Sequence, residues 1–289
     1  MNFLAEKDFL NQFTPEERER SLCAHLFDIR TSETDRHHEI HTDVVFSLLQ
    51  EIANFQVIEF GIDGHLERPP VFSWIVNRVS LRLEKSPTHY APVKMYTWQS
   101  GMDRLGFTRD YYLFDEDGTA YGAATSYWTV VTPGEHRLIR PASLFDGGEN
   151  PFIVDFSALD HPPVRIRPHF ADFTDAVDTS RKVGESDIDS NGHLNNTRYV
   201  ALCRDAADLL EPRGKFKRID INYVAEMFKG ETAEVLAAPY PNPKGDPEAI
   251  KKIPAIKDLN PREGEELIAI RCPAAKGQDR FRAILGFGG

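Results

Sequence analysis

The residues Asp187-Ile188-Asp189-Ser190-Asn191-Gly192-His193-Leu194-Asn195-Asn196 place a carboxylate, an amide and an imidazole at every second position, just ahead of an amphipathic helix. Asp189, Asn191 and His193 are types that can activate water, hold it and move a proton at neutral pH. A Gly-containing turn entering a helix also presents backbone N–H groups, so amides between Gly192 and Asn196 are candidate donors to an oxyanion. The same residue types also shape turns and cap helices, so a purely structural role is the competing reading.

The elements around this motif occur twice. In the first half, His25 to Arg30 alternates like a strand after a polar leader from Asn11 to Arg20. A polar loop, Glu33 to Glu39, leads to Thr42 as a helix N-cap. Val45, Leu48, Leu49, Ile52, Phe55 and Phe60 form the apolar face, and Gly61 is the stop. Strands are expected over Val71 to Leu83, Val93 to Ser100, Phe107 to Phe114 and Ala120 to Val131. Asp115-Glu116-Asp117-Gly118 is the hairpin turn between the last two. The second half repeats the order. Lys182 to Glu185 leads into the motif, and a helix follows with Tyr199, Leu202, Cys203, Ala206, Leu209 and Leu210 on one face. Strands are expected over Arg218 to Met227, Thr232 to Ala238, Glu266 to Cys272 and Arg280 to Phe287. The natural packing for each copy is an antiparallel sheet wrapped around its helix. The joint falls between Phe145 and Arg167, giving expected domains 1–150 and 160–289. A proline-rich segment from Pro239 to Glu265 interrupts the second sheet.

Composition narrows the function classes. The chain has 289 residues, 34 basic and 45 acidic, for a net charge of −11. Nucleic-acid binding is therefore not expected. No apolar run approaches the length of a membrane helix, and the start is neither a secretory signal nor a transit peptide. Cys23, Cys203 and Cys272 lack paired spacing and read as reduced thiols of a cytoplasmic protein. No phosphate-binding glycine loop is present and no cofactor is expected. His38-Glu39-Ile40-His41 is one residue short of the zinc-protease spacing, so a metal site is not expected there either. Trp74, Trp98 and Trp128 read as sheet and core residues.

With these residues in place, the sequence resembles the acyl–acyl-carrier-protein thioesterases, plant-type enzymes with bacterial members. Phe27-Asp28-Ile29-Arg30, Leu48 to Ala53, Trp74 to Arg78, Thr97-Trp98, Arg109-Asp110, Ala124 to Trp128 and the Asp187 to Asn196 motif with Tyr199 carry the resemblance in order. It implies an α+β fold of two tandem hot-dog domains, the first silent and holding the acyl chain, the second catalytic. It carries Asp189, Asn191 and His193 over as catalytic residues and adds Glu226 on the following strand. Plant members place cysteine after that glutamate, where this chain has Met227. A thioether forms no thiolate, so any cysteine mechanism fails here. Two schemes stay open. Asp189 attacks or acts as base, or His193 and Glu226 activate water. In the first copy, His37 and Glu39 fall where Asn191 and His193 sit, and only Asp35 is kept.

The implied activity is hydrolysis of acyl-carrier-protein thioesters to free fatty acids. An acyl-coenzyme A thioesterase, a double hot-dog hydratase and a non-catalytic acyl sensor are the rivals. Phe55, Ile58, Trp74 and Val76 are candidate acyl liners. The expected partner is an acidic carrier protein, met by Arg165, Arg167, Arg181 and Lys182 or by Arg213, Lys215, Lys217 and Arg218. Tandem copies pair internally, so a monomer is complete, and a homodimer through an exposed sheet remains open.

Overall fold

Alternating apolar residues that need cover on one face, and a helix too apolar to stand alone, meet in each half of the chain. The computed structural model describes residues 3–64, 70–241, 256–259, 262–274 and 277–289. Tertiary contacts divide the chain into two units, 1–163 and 164–289. Most of the proline-rich segment lies outside the described residues.

The first unit begins with helices α1 (Glu6–Leu10) and α2 (Pro15–Ser21), then β1 (Cys23–Asp28) and the long helix α3 (Thr42–Glu59). Strands β2 (Ser73–Leu83), β3 (Pro92–Met102), β4 (Phe107–Phe114), β5 (Ala120–Val131) and the short β6 (Leu138–Ile139) follow. Hydrogen-bonded neighbours run β1-β3-β4-β5-β2, all antiparallel, with β6 on the free stretch of β5. The second unit holds β7 (Val177–Lys182), helix α4 (Asn196–Asp208), β8 (Lys215–Tyr223), β9 (Thr232–Tyr240), β10 (Glu266–Pro273) and β11 (Asp279–Gly288). Its order is β7-β9-β10-β11-β8, again antiparallel. Counting strands within each unit, both orders read first, third, fourth, fifth, second. The helix follows the first strand in both and packs on the sheet, α3 against β1 and β3, α4 against β7, β9, β10 and β11. Each unit is thus a hot-dog fold, and the repeat holds at the level of topology.

The face of α3 differs in detail from the expected one. Val45, Leu49 and Ile52 are buried, while Leu48, Phe55 and Phe60 are only half-buried. Phe46, Ala53, Gln56 and Val57 take their places. Gln56 is fully buried because its polar atoms are all met. Nε2 donates to the Ser21 and Thr97 carbonyls at 2.7 and 3.0 Å, and Oε1 accepts from Arg109. The N-cap of α3 is His41 and Thr42 is already helical. The Asp115–Gly118 turn forms as expected, with Gly118 at a φ of 77° and its N–H donating to the Asp115 carbonyl.

The stretch from Asn11 to Arg20 is not a plain polar leader. Thr14 and Glu17 close a capping box on α2. Phe9 and Phe13 insert among Tyr96, Trp98, Tyr112 and Phe114 on the side of the sheet opposite α3. Both faces of β3 and β4 are therefore covered, which explains their near-continuous burial. Residues 151–163 join this layer. The Trp98 indole N–H donates to the Phe156 carbonyl at 2.8 Å, and the two rings stack at 5.4 Å. Among the described residues, no helix is long and apolar enough to cross a membrane. The three cysteines are free and buried.

Asp110 lies in the same layer, 1% exposed, with Oδ1 accepting the Ala158 N–H at 3.2 Å. Desolvation pushes its pKa up from 3.8 to about 6, against hydrogen bonds that lower it. A raised folded-state pKa means stability that is full below the unfolded value and lost as pH rises through about 6. Asp110→Asn keeps the acceptor and escapes that loss. We expect it to raise unfolding free energy by on the order of 2 kcal/mol near pH 8, with the gap closing near pH 4, as read by denaturant melts across pH.

Candidate active site

The motif folds as a tight hairpin on the way into α4. Ile188 and Leu194 form an isolated antiparallel bridge. Between them the Asp189 N–H donates to the His193 carbonyl at 2.9 Å, and the Gly192 N–H donates to the Asp189 carbonyl at 3.0 Å. Gly192 sits at a φ of 85°, the left-handed residue that such a turn requires. A Cβ there would meet nothing within 4 Å, so the demand for glycine is set by the backbone alone. The Asp189 carboxylate caps the turn, with Oδ1 accepting from the Asn191 N–H at 2.8 Å and the His193 N–H at 3.4 Å. Asp187 is buried and ties the loop base to Arg181 and the Gly184 N–H. Asn195 caps α4 through the Thr197 N–H at 2.9 Å.

Glu226 is not on a strand. The β8–β11 ladder ends at Tyr223 paired with Phe281, because the N–H groups of Val224 and Ala225 both donate to the Arg280 carbonyl. That bulge turns the chain out of the sheet. The Leu194 N–H then donates to the Met227 carbonyl at 2.8 Å, pinning the active loop to the departing segment. The result brings His193 Nε2 to 3.4 Å from Glu226 Oε2, with the side chains 23% and 38% exposed. The edge of Phe228 meets the imidazole at 5.1 Å, nearly perpendicular. Met227, whose thioether forms no thiolate, is buried.

The four sequence candidates thus separate. His193 and Glu226 meet side chain to side chain. Asp189 is joined to His193 through the backbone of the turn, and Asn191 is exposed at its tip. The expected row of oxyanion donors is mostly engaged. Gly192, His193, Leu194 and Asn195 donate to Asp189, Asp189, Met227 and Asp187 respectively, because the turn, the bridge and the pin each consume an amide. Two positions escaped sequence reasoning. Arg280 donates to the Glu226 carbonyl through Nη1 and to Glu231 Oε1 through Nη2 at 2.7 Å. Glu231 Oε2 accepts the Phe228 N–H at 2.8 Å. Together they clamp the segment that presents Glu226 and Phe228 to the imidazole. The only sequence signal was an isolated Arg–Glu pair far apart in the chain.

The first unit contains the same hairpin. Asp35 N–H donates to the Glu39 carbonyl, His38 N–H to the Asp35 carbonyl, and Asp35 Oδ1 accepts from His37 and Glu39 at 2.8 and 3.1 Å. His38 stands at the left-handed position with a φ of 62°. The Ile40 N–H donates to the Pro87 carbonyl as Leu194 does to Met227, which sets Ser86 in the place of Glu226. His37, His38 and His41 serve this loop. His37 accepts from Arg36, His38 packs on His89 and His41 caps α3.

Two family models align with the chain, the acyl-ACP thioesterase N-terminal domain over residues 22–142 and the acyl-ACP thioesterase C-terminal domain over residues 171–271. The chain belongs to the acyl-ACP thioesterase family. A palmitoyl-acyl carrier protein thioesterase of Arabidopsis thaliana is 27% identical over 221 residues, covering 73% of this chain and 54% of that protein. The chain spans about half the length of the curated relatives it matches. The crystal structure of a 12:0-ACP thioesterase from Umbellularia californica matches the fold with a TM-score of 0.70, at 19% identity over 92% of this chain and 93% of that one. That of an acyl-ACP thioesterase from Bacteroides thetaiotaomicron gives 0.69, at 18% identity over 93% and 98%.

Arg280→Met tests the clamp, because the Val224 and Ala225 hydrogen bonds use the backbone of residue 280 and survive the change. The expected outcome is a loss of about 1–3 kcal/mol in unfolding free energy and faster hydrogen exchange at the Phe228 amide, with β11 unchanged.

Proposed function

We propose that the second unit hydrolyses acyl thioesters carried on acyl carrier protein and releases free fatty acid, with the acyl chain held in the first unit. The observation that carries this reading is the 3.4 Å approach of Glu226 to His193 on a rigid, capped turn. A carboxylate at Nε2 holds a proton on that nitrogen and leaves Nδ1 as the lone-pair side of the ring. In that state the imidazole is a general base for water, and Glu226 stabilises the imidazolium as the proton arrives. Water attacks the thioester carbonyl, the tetrahedral oxyanion collapses, and the imidazolium returns its proton to the departing thiolate. Asn191, exposed at the turn, presents an amide to the water or the oxyanion. The buried Met227 takes no chemical part.

Asp189 is assigned to positioning. Its first-unit counterpart Asp35 makes the same turn-capping bonds where glutamate, not histidine, stands four positions on, so the turn alone accounts for the carboxylate. Asp189→Asn keeps the acceptor that caps the turn and removes the charge. Thiol release from acyl carrier substrates is expected to stay within about tenfold of wild type for Asp189→Asn and Met227→Leu, and to fall at least about a hundredfold for His193→Ala and Glu226→Ala. An Asp189→Asn rate as low as that of His193→Ala would falsify the assignment and return the attack to the carboxylate.

The acidic carrier is met by exposed cations of the second unit, Arg165, Arg167, Lys182, Arg213 and Lys215, with the half-buried Lys217 next to the last and Arg181 on Asp187. Arg218 is withdrawn from the expected set, because it is buried between Asp220 and Glu265. Against a chain of net charge −11, docking by local patches is steered and screened. We expect kcat/KM on acyl carrier protein to fall steeply with added salt while kcat/KM on the matching acyl-coenzyme A changes little. Equal salt responses would remove these cations from the docking face. Three buried, unpaired thiols fit the reducing cytoplasm.

A further inference from the structure

In the first unit a partly open cleft lies between α3 and the sheet, about 330 Å³ with its solvent-open space included. Trp74 lines it, as anticipated. Phe55 instead packs on His25, Ile58 is exposed and Val76 is absorbed in the sheet core. Val57, Trp74, Phe107 and Trp128 form apolar wall, whereas Asn54, Gln99 and Arg109 bring polar groups into it. A cleft meant only for hydrocarbon has no use for these side chains.

Gln99 and Arg109 are direct cross-strand partners on β3 and β4, so both side chains rise from the same face. Gln99 is 1% exposed and its Nε2 has no hydrogen-bond partner. The orientation of this amide is fixed by a chain of bonds. The Phe152 N–H donates to Asn150 Oδ1, so Asn150 must present Nδ2 to Gln99, and Gln99 must meet it with Oε1. The spare Nε2 donor is the necessary remainder. The indole and guanidinium donors beside it are committed elsewhere, Trp74 Nε1 to the Ile62 carbonyl, Trp128 Nε1 to Ser126, and Arg109 Nη1 to Gln56 and Thr97. Arg109 is itself buried, and its guanidinium donates to the neutral oxygens of Gln56 and Thr97. The polar end of the cleft therefore combines an unmet donor with a positive charge held by neutral oxygens, both of which favour an electron-rich oxygen.

We propose that this cleft takes an acyl chain bearing an oxygen substituent, a hydroxyl or an oxo group, which accepts the Gln99 Nε2–H beside Arg109. The proposal rests on the reading that the first unit holds the acyl chain. A hydrocarbon chain leaves the donor buried and unpaired, whereas an oxygen at one position along the chain satisfies it, so the preference is positional. A site that pairs a polar group discriminates against the analogue lacking it more strongly than an apolar pocket discriminates by size.

The test is equilibrium binding to the full chain of decanoic acid and of hydroxy- and oxodecanoic acids with the oxygen moved along the chain, by titration calorimetry. One substituted position is expected to bind about tenfold tighter than decanoic acid. Gln99→Leu should erase that advantage and leave decanoic acid binding as well or better. Gln99→Glu, which keeps an acceptor for Asn150 and gives Arg109 a carboxylate, should erase it in a chain that retains the native bond to Asn150. Binding of decanoic acid with no substituted isomer favoured overturns the proposal and leaves the acyl-chain reading intact. An advantage that persists in both variants also overturns it. If no acid of the series binds, the acyl-chain reading of the first unit fails instead.

Discussion

The site depends on one backbone constraint, a hairpin turn capped by its own aspartate and pinned at its exit to a chain leaving the sheet. The cap fixes the residue four positions after the aspartate in a single orientation. The pin, Leu194 to Met227, fixes which residue stands opposite it. Neither contact involves the reacting side chains. Each satisfies a main-chain N–H of a partly buried loop, through the Asp189 carboxylate in the cap and the Met227 carbonyl in the pin, and leaving such an amide unmet costs more than the bond itself contributes. The imidazole and its carboxylate therefore inherit their geometry from groups whose bonding is obligatory in any sequence that keeps the turn. The Arg280–Glu231 clamp adds a second constraint on the far side, holding Glu226 by its carbonyl while its carboxylate stands 3.4 Å from His193.

The two copies separate scaffold from chemistry. Asp35 and Asp189 cap equivalent turns, and Pro87 and Met227 receive equivalent pins, yet Glu39 stands where His193 does and Ser86 where Glu226 does. The first unit thus keeps the capped turn and its pin without the proton-transfer pair. What it has gained is a cleft with buried polar groups under α3, and Gln56 shows how such a unit tolerates them, by meeting every polar atom.

Much of this was legible in the sequence, and what was not has definite causes. Strand and helix order followed from periodicity, and β4 and β5 fall on their expected bounds because Asp115 to Gly118 marks the turn unmistakably. The decapeptide marked the hairpin that carries His193, since glycine three residues after a turn aspartate leaves few backbone paths. Glu226 was legible only through resemblance, and its expected strand was too long. The bulge that ends β8 comes from two amides sharing the Arg280 carbonyl, a contact across 54 or more positions that no local pattern encodes. Arg280 was hidden for the same reason. The leader was misread because Phe9 and Phe13 are isolated among polar residues, and only the exposed back of β3 and β4 gives them a destination. The oxyanion row was overcounted because adjacency to a helix start was visible but the competing demands of the turn were not.

The passage between the units belongs to the first of them. Phe156 lies flat on Trp98 and accepts its indole proton, Ala158 bonds Asp110, and Val154 donates to the Gln99 carbonyl. Residues that read as a tether are a missing wall of the N-terminal barrel of side chains. Recombining halves from different relatives at the glycine-rich stretch near residue 148 would tear out that wall and strand an indole N–H, whereas a crossover at 163/164 transplants it whole. The workable seam in such a duplicated chain is where the wall ends, well after the point at which composition first loosens.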